Sequence, residues 1–78
     1  MSTSVDDAVA VGAQIDERDL HVRMKDGRTI SVPLSWFPRL ADASAEERAD
    51  WYLIGEGEGI HWRQLDEDIS IAALLRGR

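Results

Sequence analysis

The amino-acid sequence predicts an α+β fold, a small antiparallel β-meander with short helices packed on one face. Three observations carry this. Apolar residues alternate with polar ones through residues 9 to 34, interrupted by Asp26-Gly27, the strongest short hairpin signal. Ser44 and Ser70 each stand where a helix would start, as capping residues. Between them runs Trp51-Tyr52-Leu53-Ile54, aromatic and β-branched, followed by Gly55-Glu56-Gly57-Glu58-Gly59. Strand chemistry and then bend chemistry are the reading of that stretch.

In order, residues 1 to 7 are small and polar and are expected to fray, leaving one domain over residues 8 to 78. Val9, Val11, Ala13 and Ile15 place an apolar stripe on a first strand, which the charged run at residues 16 to 19 ends. Parity then decides the pairing. A four-residue loop sets Ile15 against Leu20, Ala13 against Val22 and Val11 against Met24, so the apolar sets share a face. A three-residue loop at Lys25-Asp26-Gly27 sets Met24 against Arg28, Val22 against Ile30 and Leu20 against Val32. Gly27 is therefore expected at positive φ, in a bulged turn. His21, Arg23, Lys25, Thr29 and Ser31 fall on the opposite, solvent-facing side.

Beyond Pro33, Ser35 is expected to cap a short helix starting at Trp36, with Trp36, Phe37 and Leu40 lying over the sheet. Ser44-Ala45-Glu46-Glu47 has the capping-box pattern, predicting a helix over about residues 45 to 50. Trp51 to Ile54 is expected to be the most buried strand, and Ile60-His61-Trp62 a short extended piece. Ser70 caps a last helix carrying Ile71, Leu74 and Leu75 on one face, and Gly77 stops it.

Composition excludes several functions. The 78 residues carry a formal charge of −6, which repels a phosphate backbone and makes direct nucleic-acid binding a poor reading, while favouring a basic protein partner. With no cysteine there is neither a disulfide framework nor a thiolate zinc site. No apolar run reaches the length of a membrane span and no leader pattern is seen, so the expected location is the cytoplasm. No cofactor is implied: the glycine run at residues 55 to 59 lacks the Lys-Ser/Thr pair of a phosphate loop and holds two carboxylates where phosphate would sit. Asp66, Glu67 and Asp68 lack the spacing of a calcium loop, and Asp66 or Asp68 is better read as an acceptor for loop amides near the last helix. Two histidines without a further cluster are a weak metal signal.

What remains is recognition. Trp36, Trp51 and Trp62 are core or rim residues, and any of them left exposed beside Glu56, Glu58 and Asp66 would make a protein-binding hot spot. The expected contact set is Trp36, Trp51, His61 and Trp62 as aromatic contacts, with Glu56, Glu58, Asp66 and Asp68 as charged ones.

The blocks Asp26-Gly27-Arg28, Val32-Pro33-Leu34-Ser35-Trp36-Phe37-Pro38-Arg39-Leu40, Trp51-Tyr52-Leu53-Ile54-Gly55, Gly59-Ile60-His61-Trp62 and Leu65-Asp66-Glu67-Asp68-Ile69-Ser70, in that order, resemble the DUF2442 family of small bacterial proteins. The resemblance spans about residues 9 to 77. It implies a small α+β domain with a meander, and a place as one half of a two-gene, toxin-antitoxin-type pair whose other member is a DUF4160-type toxin-like protein. Longer relatives append a helix-turn-helix domain, which these residues lack, and relatives tend to carry proline after the His-Trp pair where this chain has Arg63-Gln64. The functional expectation is a non-enzymatic, acidic, antitoxin-like protein-interaction module. The alternatives are a homo-oligomeric structural module, for instance a homodimer paired through residues 9 to 15, and, last, a small metal-dependent enzyme built on His61 with Asp66 or Asp68.

Overall fold

The computed structural model describes residues 9 to 77, so the tail expected at residues 1 to 7 lies outside the described residues. Strands β1 (Ala10–Ile15), β2 (Asp19–Met24) and β3 (Thr29–Pro33) form one antiparallel sheet in the order β1-β2-β3. Its registers follow the parity of the sequence. Ile15 pairs with Leu20 and Ala13 with Val22, while Val22 pairs with Ile30 and Leu20 with Val32. At the hairpin, the Gly27 amide donates to the Met24 carbonyl at 3.0 Å and the Met24 amide to the Arg28 carbonyl at 2.7 Å. Gly27 has φ 97°, as a bulged three-residue turn requires. Asp26 closes the turn by accepting from the Arg28 amide and guanidinium, at 3.0 and 2.7 Å. Those bonds hold its carboxyl below the usual carboxylate range, the backbone amide more than the side chain.

One pairing departs from expectation. Met24 faces Ala10 rather than Val11, because the register shifts between Ala10 and Gly12. Val11 is bulged outward and 52% exposed, and Ala10 takes the core position. Both residues are apolar, so alternation alone could not say which turns inward.

A 3₁₀ turn at Leu34–Trp36 follows, then α1 (Pro38–Ala41), whose N-cap is Phe37 with no side-chain bond. Ser35, expected to cap this helix, lies inside the 3₁₀ turn instead. The early turn lets the Leu34 side chain enter the core while its amide donates to the Arg18 carbonyl. Helix α2 (Ala45–Ala49) shows the full capping box, Ser44 and Glu47 exchanging bonds of 3.1 and 2.8 Å. These two bonds occupy amides that the helix start leaves without partners.

Strands β4 (Trp51–Ile54), β5 (Gly59–Trp62) and β6 (Glu67–Ser70) make a second antiparallel sheet, ordered β4-β5-β6. Strand β5, not β4, is the most buried: three of its four residues are inside, while β4 alternates half-buried Trp51 and Leu53 with exposed Tyr52 and Ile54. The centre of a three-stranded sheet is covered by neighbours on both sides, and β4 is an edge. Residues 67 to 70, for which the sequence carries no strand expectation, are the third strand. The Ser70 hydroxyl accepts from the Ala73 amide at 3.3 Å and starts α3 (Ile71–Arg76), which ends at Gly77 with φ 80°.

Both sheets, the 3₁₀ turn at Leu34–Trp36, α1 and α3 fill one core. Leu20, Val22, Met24 and Val32 come from the first sheet, Ile60, Trp62 and Ile69 from the second, and Leu34, Leu40, Ile71 and Leu74 from the turn and helices. The chain doubles back through Gly55–Gly57, where Gly57 has φ 98° and sits against β1. An added Cβ there would lie 2.5 Å from the Ala10 carbonyl oxygen. Only glycine fits both the backbone angle and the approach.

Candidate functional site

Because β4, β5 and β6 pair in fixed register, every second residue aligns across the outer face of the second sheet. One row is Tyr52, His61 and Asp68; the next is Ile54, Gly59 and Ser70. The two exposed apolar side chains of β4, Tyr52 at 42% and Ile54 at 36%, belong to these rows. Their inward neighbours Trp51 and Leu53 pack against the core, so a strand with no polar residue necessarily shows half of its apolar surface to solvent.

Charge is placed around this apolar strip. His61 Nδ1 is hydrogen-bonded to Asp68 Oδ1. A carboxylate only accepts, so Nδ1 is the donor in this bond. That ring also packs on Tyr52, with centroids 5.2 Å apart and planes tilted by 59°. Arg63 lies over the other partner of that contact, its guanidinium carbon 5.1 Å from the Tyr52 centroid, and its Nε is 3.7 Å from Asp50 Oδ1. Glu58 flanks the second row and, with Ile54, Gly59, Asp68, Ile69 and Ser70, lines an open hollow of about 320 Å³. A larger hollow of about 420 Å³ adjoins it across Asp68 to Ser70, walled by Trp36, Phe37 and Ala73.

The eight residues expected to make contacts are therefore only partly brought together. His61, Asp68 and Glu58 stand on one face, and half-buried Trp36 borders the adjoining hollow. Glu56 is exposed in the bend beside them, at φ 59°. Asp66 is exposed in the β5 to β6 turn at φ 51°, where the Arg39 guanidinium donates to the neighbouring Leu65 carbonyl at 3.1 Å. Neither Asp66 nor Asp68 caps the last helix; the cap is Ser70 alone. Trp51 points to the other side of the sheet, half-buried against the Arg48 and Ala49 side of α2. Trp62 is wholly enclosed, at 0% exposure, with its indole N–H donating to the Arg48 carbonyl at 3.0 Å. It holds the core and presents no surface. Tyr52 and Ile54 were not singled out from sequence, although the alternation of the pairing strand, Ile60 and Trp62 in and His61 out, contained the signal.

A second polar constellation occupies the outer face of the first sheet. His21 Nε2 is 2.7 Å from Asp16 Oδ2, and His21 Nδ1 is 2.6 Å from Ser31 Oγ. Asp16 Oδ1 also accepts from the Arg18 and Asp19 amides, at 2.8 and 2.7 Å. Its carboxyl is held well below the usual carboxylate range, chiefly by the His21 bond and then by the two amides. The order Asp-His-Ser is that of a nucleophilic triad, but the hollow beside His21 is lined by Ala13, Gln14, Arg23 and Thr29 and not by Ser31. The chain of bonds ties a loop to two strands. Among the described residues, Asp16, Asp19 and His21 are also the one grouping whose ligand atoms lie close enough to share a metal ion. Asp16 already spends one oxygen on the turn amides and the other on His21. The histidine that sequence reasoning paired with Asp66 or Asp68 is in no such grouping.

The chain has no cysteine, and no helix among the described residues is long and apolar enough to cross a membrane. No curated protein matches it. A solved structure, a protein of unknown function from Rhodospirillum rubrum, is similar at 30% identity with a TM-score of 0.75, covering 88% of this chain and 86% of that one. The family described as "Protein of unknown function (DUF2442)" matches residues 8–78, and the small α+β fold of two meanders is the fold found here. The chain belongs to the DUF2442 family.

Proposed function

We propose that this chain is a non-enzymatic protein-interaction module, antitoxin-like in character, that covers a more basic protein encoded nearby with the outer face of its second sheet. The observation that carries the reading is the apolar strip of Tyr52 and Ile54 set among Glu58 and Asp68 on one exposed face. Aromatic and aliphatic anchors ringed by charge are what a partner desolvates with gain, and a net charge of −6 steers a basic one toward them. A DUF4160-type toxin-like protein is the partner that the family resemblance suggests.

Pairing of two copies through the β1 edge of the first sheet is the competing reading. The outward bulge at Val11 interrupts that edge and weakens it as a template, because a bulge breaks the row of free amides and carbonyls. Light scattering separates the readings. The chain alone is expected as a monomer, and co-expression with the product of the adjacent gene is expected to give a stable heteromer. A dimer alone and no heteromer would replace the partner reading with self-association.

A further inference from the structure

Gly59 sits in the central strand of the second sheet, between Ile54 and Ser70 on the outer face, and is not among the glycines at positive φ. Glycine in such a place weakens a strand, and nothing in the backbone angle asks for it. What it provides is space. A Cβ there would come within 3.0 Å of Ile54 Cγ1 and 3.2 Å of the Ile69 carbonyl oxygen, so any side chain would push Ile54 aside and fill the hollow of about 320 Å³. The floor is apolar and the two charged lining groups, Glu58 and Asp68, are both acidic. Among the described residues no lysine or arginine pairs with either. Arg63, whose guanidinium lies over Tyr52, is turned to Asp50. Asp68 gives one oxygen to His61, which leaves the other for an incoming donor.

We infer that the hollow over Gly59 receives an arginine side chain of the partner, its stem on Ile54 and Gly59 and its guanidinium between Glu58 and Asp68. This rests on the proposed interaction role. Arginine fits better than lysine because a planar, weakly hydrated guanidinium tolerates an apolar floor and offers donors in two directions to two carboxylates, whereas an ammonium is a compact, strongly hydrated charge.

The test is a titration of the ¹⁵N-labelled full chain with N-acetyl-arginine methylamide, with its neutral isostere N-acetyl-citrulline methylamide, and separately with a nonalysine peptide at low salt. The arginine derivative is expected to shift the Ile54, Gly59 and Ser70 amides saturably in the millimolar range, as a single anchoring side chain should. Citrulline should produce less than a tenth of the shift. Glu58→Gln and Asp68→Asn should each weaken binding at least threefold, and Gly59→Ala, checked for an unchanged spectrum elsewhere, should weaken it tenfold or more. Equal shifts with citrulline, or unchanged binding in Glu58→Gln and Asp68→Asn, would overturn the assignment. If nonalysine binds the outer face and the arginine derivative does not, the hollow is not an arginine site and the basic-partner reading survives. If neither binds, both fall.

Discussion

Trp62 and Tyr52 stand one row apart on paired strands, yet one is wholly enclosed and the other faces solvent. The difference is the parity of the sheet, and its energetic weight is testable. Trp62→Ala should cost about 3–5 kcal/mol in urea denaturation, from lost burial and the cavity left behind. Tyr52→Ala should stay within about 1 kcal/mol, since the residue is exposed on the outer face and loses mainly its contacts with His61 and Arg63. At the opposite sheet, Asp16 is a pH-dependent lock. Its folded carboxyl is held below its unfolded value, so its contribution is fully present above about pH 4, the unfolded value, and is lost as pH falls toward the depressed folded value. The stability difference between the protein and Asp16→Asn should therefore shrink between pH 5 and pH 2; a difference that grows on acidification would contradict this. The His21 to Ser31 contact was legible in the hairpin register, whose pairs place those residues opposite each other. The solvent side of Trp51-Tyr52-Leu53-Ile54 was not legible within that stretch, which contains no polar residue to mark it; the mark is His61 on the paired strand.

At the scale of elements, turns and caps were the most readable features, because each depends on the chemistry of one or two side chains. Ser44→Ala should destabilise by about 1 kcal/mol by removing the hydroxyl that accepts from Glu47. Glycine substitutions separate backbone angle from space. Gly27 has φ 97° with open space around a Cβ, so Gly27→Ala should cost only the left-handed strain, about 1–2 kcal/mol. Gly57→Ala adds a collision with the Ala10 carbonyl, and its melting midpoint should fall clearly further than that of Gly27→Ala. Equal losses would mean that the bend does not press on β1. The elements that escaped the sequence were those without alternation. Strand β6 is Glu67-Asp68-Ile69-Ser70, with one apolar residue in four, and it is a strand because β5 lends it a partner. The bulge at Val11 was hidden because Ala10 and Val11 compete as equals for the inward position.

For the molecule as a whole, size limits how the proposed face can work. Three strands of four residues cover roughly 13 by 14 Å at the usual rise and spacing, roughly 180 Å² in projection. A stable interface takes about 800 Å² of accessible surface from each partner. A partner held by Tyr52 and Ile54 must therefore also cover the adjoining hollow of about 420 Å³, which brings Trp36 into the contact. Val11, the most exposed large apolar residue among the described ones, lies on the other sheet, so Val11 and Ile54 can be set against each other. The direct measurement is the mass, by light scattering, of Ile54→Glu and Val11→Glu variants co-expressed with the product of the adjacent gene. Loss of the heteromer in Ile54→Glu and its retention in Val11→Glu is the predicted result. Retention in Ile54→Glu with loss in Val11→Glu would move the binding face to the first sheet and contradict the account.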